Sequence, residues 1–167
     1  ACQAEVRGRG YVLLAGTVWN GAVSLGIGGI LAGHMTAFDL MEMPPVIWPA
    51  LFISYLVIAA FLIVLHRSRQ NPETYVTQWF VIAAFLWFPA LFLVAWNGLS
   101  IDPGFGTVQS VLSMWYSQNL IWLWLTPVAL GCAYYLIPKA LGRPVDKYYL
   151  AIFGFWCIAM LAPWSVL

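Results

Sequence analysis

The sequence predicts an all-α, polytopic transmembrane bundle of five spans, and three observations lead there. Of 167 residues, 63% are apolar, 17% aromatic and only 8% charged, against about 25% charged in an ordinary soluble domain. A surface so poor in charge suits lipid rather than water. The apolar residues also fall into five stretches, each close to the ~20 residues an α-helix needs to cross the hydrocarbon core. Finally, every Lys and Arg lies in alternate connections between those stretches. The formal net charge of +1, with no basic block, argues against a nucleic-acid partner, and ten Trp in so short a chain fit residence at a membrane interface.

The five expected spans cover 11–33, 46–66, 75–97, 113–137 and 147–167 and together form a single transmembrane domain, 1–167. The first is rich in glycine, and Gly29 and Gly33 make a GxxxG step, predicting close helix approach. Pro44-Pro45 precedes the second span, Asn71-Pro72 the third, Asp102-Pro103-Gly104 the fourth and Arg143-Pro144 the fifth. Pro89 and Pro127 fall within the third and fourth spans, where each frees a backbone carbonyl and predicts a kink. The fifth span runs to Leu167 with no polar tail, which leads us to expect a partial bundle belonging to a larger assembly.

Charge sets the expected orientation. Arg7 and Arg9 precede the first span, Arg67 and Arg69 separate the second from the third, and Lys139, Arg143 and Lys147 separate the fourth from the fifth. The other two connections hold Asp39, Glu42 and Asp102 and no cation. The positive-inside rule then places the N-terminus in the cytoplasm and the C-terminus outside.

Few residues carry chemistry. No Asp, Glu, Lys or Arg lies near the middle of a span, which weakens the case for an ion or proton transporter acting alone. Cys2, Cys132 and Cys157 show no metal-binding spacing and read as small packing residues, with no disulfide inferred. His66 reads as an interfacial polar residue beside Arg67. His34, Asp39 and Glu42 form a loop that is either a solvated acidic connection or a site for a hard cation, calcium rather than zinc. Two histidines are too few for two haems and a copper, so the chain alone binds no redox cofactor.

The stretch "WYSQNLIWLWLTPVALGCAYYLIPKALGRPVDKYYLAIFGFW", from Trp115 to Trp156, resembles the catalytic subunit (subunit I) of the cbb-type cytochrome c oxidases, the C family of haem–copper oxidases. That family's pattern is a Trp-Tyr-Gly-His-Asn helix, a Thr, a Tyr-Tyr-x-Ile-Pro-Lys helix end, an Arg-Pro-Val turn and a Phe-Trp helix. Trp115, Tyr116, Asn119, Thr126, Tyr134, Tyr135, Ile137, Pro138, Lys139, Arg143, Pro144, Val145, Phe155 and Trp156 stand in register with it. Upstream, "GHMTAFDLMEMP" and "ETYVTQWF" resemble the family's acidic loop and the opening of its next helix.

The resemblance implies a middle portion of such a subunit, in a bacterial inner membrane, among cytochrome c-type subunits and lipid. It implies haem b in the full assembly and calcium at Asp39 and Glu42. It also marks departures. The family's copper-binding Gly-His pair is replaced by Ser117 and Gln118, beside Asn119; a serine assigned to its proton path corresponds to Ala151, and its cross-linked tyrosine to Ala162. An amide is a poor copper ligand beside imidazole, so the copper site is expected to be compromised. The expected function is therefore an oxidase-like electron-transfer component of a respiratory complex. The alternatives are a redox-inactive scaffold descended from an oxidase and, third, a small transporter.

Overall fold

In the computed structural model the described residues are 8–68, 74–101, 106–143, 145 and 147–164, and their regular structure is entirely helical. The chain divides into two compact units, Ala1–Pro72 and Glu73–Leu167. Among the described residues, four helical segments are long and apolar enough to cross a membrane: Arg9–Leu31, Trp48–Arg67, Val76–Ser100 and Thr107–Leu141. A shorter apolar helix follows, Tyr148–Trp164. Arg7, Arg69, Asn71, Pro72, Asp102, Pro103 and Pro144, used above for orientation and helix boundaries, lie outside the described residues, as does Cys2.

The first unit is an antiparallel pair, α1 (Arg9–Leu31) and α2 (Trp48–Arg67). The buried residues of α1 are small and share one face: Ala15, Ala22 and Gly26. The buried residues of α2 include Tyr55 and Ala59, and Tyr55 meets Trp19 with ring centroids 6.3 Å apart. Lipid offers little hydrophobic drive between helices, so close packing of small and aromatic groups has to supply the contact.

The GxxxG step works differently from the helix-on-helix role expected of it. Gly33 ends α1 at φ 85°, where its N–H donates to Ile30 O (3.0 Å) and the His34 N–H to Gly29 O (2.9 Å). That reciprocal pattern closes the helix and favours glycine, which takes a left-handed conformation without steric cost. Gly29 faces the returning loop: a Cβ there would come 2.5 Å from Pro44 Cγ, and one at Gly26 would come 2.7 Å from Met43 Sδ. The glycines admit a chain segment against α1 rather than a second helix.

The second unit contains α3 (Val76–Trp96), a π turn (Asn97–Ile101), α4 (Thr107–Leu120), a second π turn (Ile121–Leu125), α5 (Thr126–Leu141), α6 (Tyr148–Leu161) and a closing 3-10 turn (Ala162–Trp164). The fourth expected span is thus part of one 35-residue helical segment, about 52 Å long at about 1.5 Å per residue. It begins at Thr107 because nothing between Thr107 and Val111 breaks a helix, and it ends at Gly142, which adopts φ 62°. Pro127 is accommodated by the wider turn before it. In a regular α-helix its ring would press on the Leu123 carbonyl; here the Thr126 N–H reaches back five residues to Ile121 O.

An aromatic core joins α3 to α6 and α5. Val76 and Phe80 pack against Ala151 and Phe155, one helical turn apart on each side. Phe80 meets Phe155 edge-on at 5.3 Å and stacks on Tyr134 at 5.5 Å, while Trp87 stacks on Phe155 at 5.7 Å. Such pairs are each worth about 0.5–1.5 kcal/mol beyond simple contact.

Candidate functional site

The residues that carry the copper-site comparison lie in the last turn and a half of α4. Tyr116, Asn119 and Leu120 are buried, as is Leu123 beyond them, forming the stripe by which this helix packs into its own unit. Ser117 is also buried, its hydroxyl donating to Met114 O at 3.1 Å within the helix. Gln118 is only half-buried, and Met114, Ile121, Trp122 and Leu125, its neighbours along the helix, are exposed. Gln118 therefore borders a face that this unit does not cover.

Asn119 is the most enclosed polar group of the three, with no exposed surface. Its Nδ2 donates to Trp115 O at 2.8 Å, while its Oδ1 has no partner. The sequence marks Asn119 as part of a pattern but does not reveal this burial; helical spacing from Tyr116 and Leu123 is the signal that could have found it. The second π turn has no signal in the sequence beyond Pro127, which predicts a disturbed helix there.

The two small residues that depart from the family pattern are enclosed. Ala151 is buried in the aromatic core beside Phe80 and Phe155, and Ala162 is buried in the 3-10 turn that packs on α4. Neither methyl group can donate or accept a hydrogen bond.

The acidic loop of the first unit is ordered by its backbone. Met41 N–H donates to Phe38 O and Thr36 N–H to Glu42 O, each at 3.0 Å, and the Thr36 hydroxyl donates to Met41 O. Asp39 occupies the tip of this turn, next to Leu40 at φ 61°. The Asp39, Glu42 and His34 side chains are all exposed. Among the described residues, no three His, Cys, Asp or Glu side chains gather into a metal-sized cluster. His66 lies in the last turn of α2, Cys132 is exposed, and Cys157 is half-buried.

Residues 7–167 match the model of the family described as cytochrome c and quinol oxidase polypeptide I. The chain belongs to that family. Its similarity to individual oxidase subunits extends across several bacteria. It is 33% identical over 130 residues to cytochrome c oxidase subunit 1 of Rhodobacter capsulatus, which covers 72% of this chain and 23% of that protein. It is 30% identical over 129 residues to the cbb3-type cytochrome c oxidase subunit CcoN1 of Stutzerimonas stutzeri, covering 71% of this chain and 27% of that protein. A cytochrome c oxidase subunit 1 homolog of Azorhizobium caulinodans is 27% identical over 173 residues, covering 93% of this chain and 28% of its own length. This polypeptide I chain thus spans about a quarter of the length of the curated relatives it matches. It is a multi-pass, haem–copper oxidase subunit I-like membrane protein, in keeping with its long apolar helices.

Proposed function

We propose that this polypeptide I chain is an integral part of a cytochrome c oxidase-like respiratory complex in a bacterial cytoplasmic membrane. It carries electrons through haem b held in the full assembly, with Gln118 in place of a copper-binding histidine. The observation that carries this reading is the placement of Gln118 on α4. It borders the face lined by exposed Met114, Ile121, Trp122 and Leu125, the side available to the remainder of a longer bundle. Asn119 and Tyr116, which keep the family pattern, serve the inner packing.

The residues of this chain do not fit a copper site built from imidazoles. Its two histidines, His34 and His66, belong to a connecting loop and a helix end, and position 118 offers a neutral amide, a weak copper donor. We therefore route no chemistry through copper. Haem ligands come from the parts of the oxidase architecture that this chain does not span. Calcium at Asp39 and Glu42, cytochrome c-type partner subunits and a cytoplasmic N-terminus complete the proposal, the last supported by the cations outlined above.

A redox-inactive scaffold is the competing reading, favoured by the enclosure of Ala151 and Ala162 where the related oxidases place hydrogen-bonding side chains. Purification of the native complex, with a reduced-minus-oxidised haem spectrum and metal analysis, separates the two. The proposal expects a haem b spectrum with copper far below one per complex, and a rise in copper on Gln118→His. A complex without haem would leave the scaffold reading standing. A full complement of copper in the unaltered complex would refute the role given to Gln118.

A further inference from the structure

One end of the second unit gathers residues to which the proposed function assigns no ligand. The starts of α3 and α6 are tied together there: the Tyr148 hydroxyl donates to Thr74 O at 2.9 Å and accepts from Trp79 Nε1 at 3.0 Å. α5 reaches the same end, since Gly131 already lies beside Thr77, Phe80 and Val81 near the start of α3. Tyr75, Trp79, Tyr135, Tyr148 and Tyr149 are all exposed at this end. Amphipathic rings collected at one level mark a membrane–water interface.

Three cations follow in the sequence where α5 ends and α6 begins. Lys139 Nζ donates to the Tyr135 hydroxyl at 3.3 Å and lies 5.2 Å from its ring centroid. This bond leaves the other ammonium hydrogens and the Tyr135 O–H free to donate outward. The Arg143 backbone N–H donates to Pro138 O at 3.2 Å, closing the end of α5. Lys147 occupies the position before α6, whose first turn has no acidic residue and no side-chain cap. The backbone N–H groups of such a helix start favour an anion. Lys139, Arg143 and Lys147 are all exposed. Against them the sequence sets Asp146, leaving a net charge of +2 between residues 139 and 147, and Glu73 before Thr74; both acids lie outside the described residues.

We propose that this rim binds the headgroup phosphate of an anionic phospholipid. Lys139 and Tyr135 grip it from the lipid-facing side, and Arg143 and Lys147 grip it from the turn. The aromatic belt supplies the reason for choosing a lipid over a dissolved anion, because it holds the cations at headgroup depth. Each cation near an anionic membrane surface strengthens attraction by roughly five-fold.

The test uses the full complex reconstituted into nanodiscs of phosphatidylcholine doped with spin-labelled phosphatidylglycerol. The unaltered protein is expected to hold the labelled lipid well above its share of the bilayer. Lys139→Gln, Arg143→Gln and Lys147→Gln together should lower that enrichment by more than ten-fold while the complex still elutes as one species. Tyr135→Phe alone should lower it a few-fold. Raising salt from about 0.1 M to about 1 M, which shortens the Debye length from about 10 Å to about 3 Å, should abolish most of the enrichment in the unaltered protein. That arm decides the matter if the triple variant does not assemble. No enrichment in the unaltered protein, enrichment indifferent to salt, or enrichment unchanged in an assembled triple variant would each overturn the proposal. Displacement of the lipid by millimolar inorganic phosphate would also overturn it, in favour of a site for the free ion.

Discussion

Gly131 offers a direct test of how the second unit is held together. A Cβ added there would lie 2.8 Å from Val81 Cγ2, with Phe80 Cβ and Thr77 O each at 3.6 Å. The two longer distances are ordinary contacts, so the whole conflict rests on one methyl group, about 0.6 Å inside the 3.4 Å at which ordinary contact begins. Val81 cannot swing that methyl away cheaply, because a β-branched side chain in a helix has one strongly preferred rotamer. Either the rotamer is forced, at about 0.5–1.5 kcal/mol, or α5 withdraws from α3 and loosens the Phe80–Tyr134 stack. Gly131→Ala is therefore expected to destabilise the protein by about 1–3 kcal/mol, the usual range for overpacking. SDS titration in mixed micelles, followed by tryptophan fluorescence, measures the change. Val81→Ala removes the offending methyl, so the double variant should recover most of the loss and fall well short of the sum of the single effects. Strictly additive single and double variants would refute the argument that one methyl contact sets the α3–α5 distance.

Two further expectations concern other parts of the chain. Gly33→Ala should cost about 1–2 kcal/mol in the same titration because it places a Cβ at φ 85°, with Gly33→Asn costing less. Asn119→Leu should change stability by no more than about 1 kcal/mol, since it loses the bond to Trp115 O but also removes an unpaired buried oxygen; Asn119→Asp, which buries a charge at the same point, should be far more damaging.

The sequence made the helical, membrane-embedded architecture legible because composition and apolar run length respond directly to the solvent. The five stretches correspond to helices, although the fourth extends well beyond its apolar run: a helix obeys hydrogen bonding and capping, whereas hydropathy reports only the part in hydrocarbon. Glycine patterns were less informative. Gly29 and Gly33 matched a familiar helix-pairing step, yet one accommodates Pro44 and the other turns the chain, a distinction visible only once the loop is in place. At the site, the pattern identified Ser117, Gln118 and Asn119 as a unit, but helical phase separates them. Asn119 faces inward, Ser117 satisfies its own helix, and Gln118 borders the uncovered side. Neighbours in sequence became three different environments because each residue turns the helix by about 100°.

The π turn at Ile121–Leu125 alters that phase. It spends about one residue more than an α-helix would over the same rise, so the segment after it is rotated by roughly a quarter turn relative to the segment before it. The long helix can therefore present Asn119 and Gly131 to their respective neighbours as if they belonged to two separately aimed rods, while remaining continuous. The extra residue acts as a phase shifter: straightening the turn at constant length would rotate Gly131 about 100° off α3, whereas deleting one position between Ile121 and Leu125 would restore an ordinary α-helical turn with Gly131 still aimed at α3.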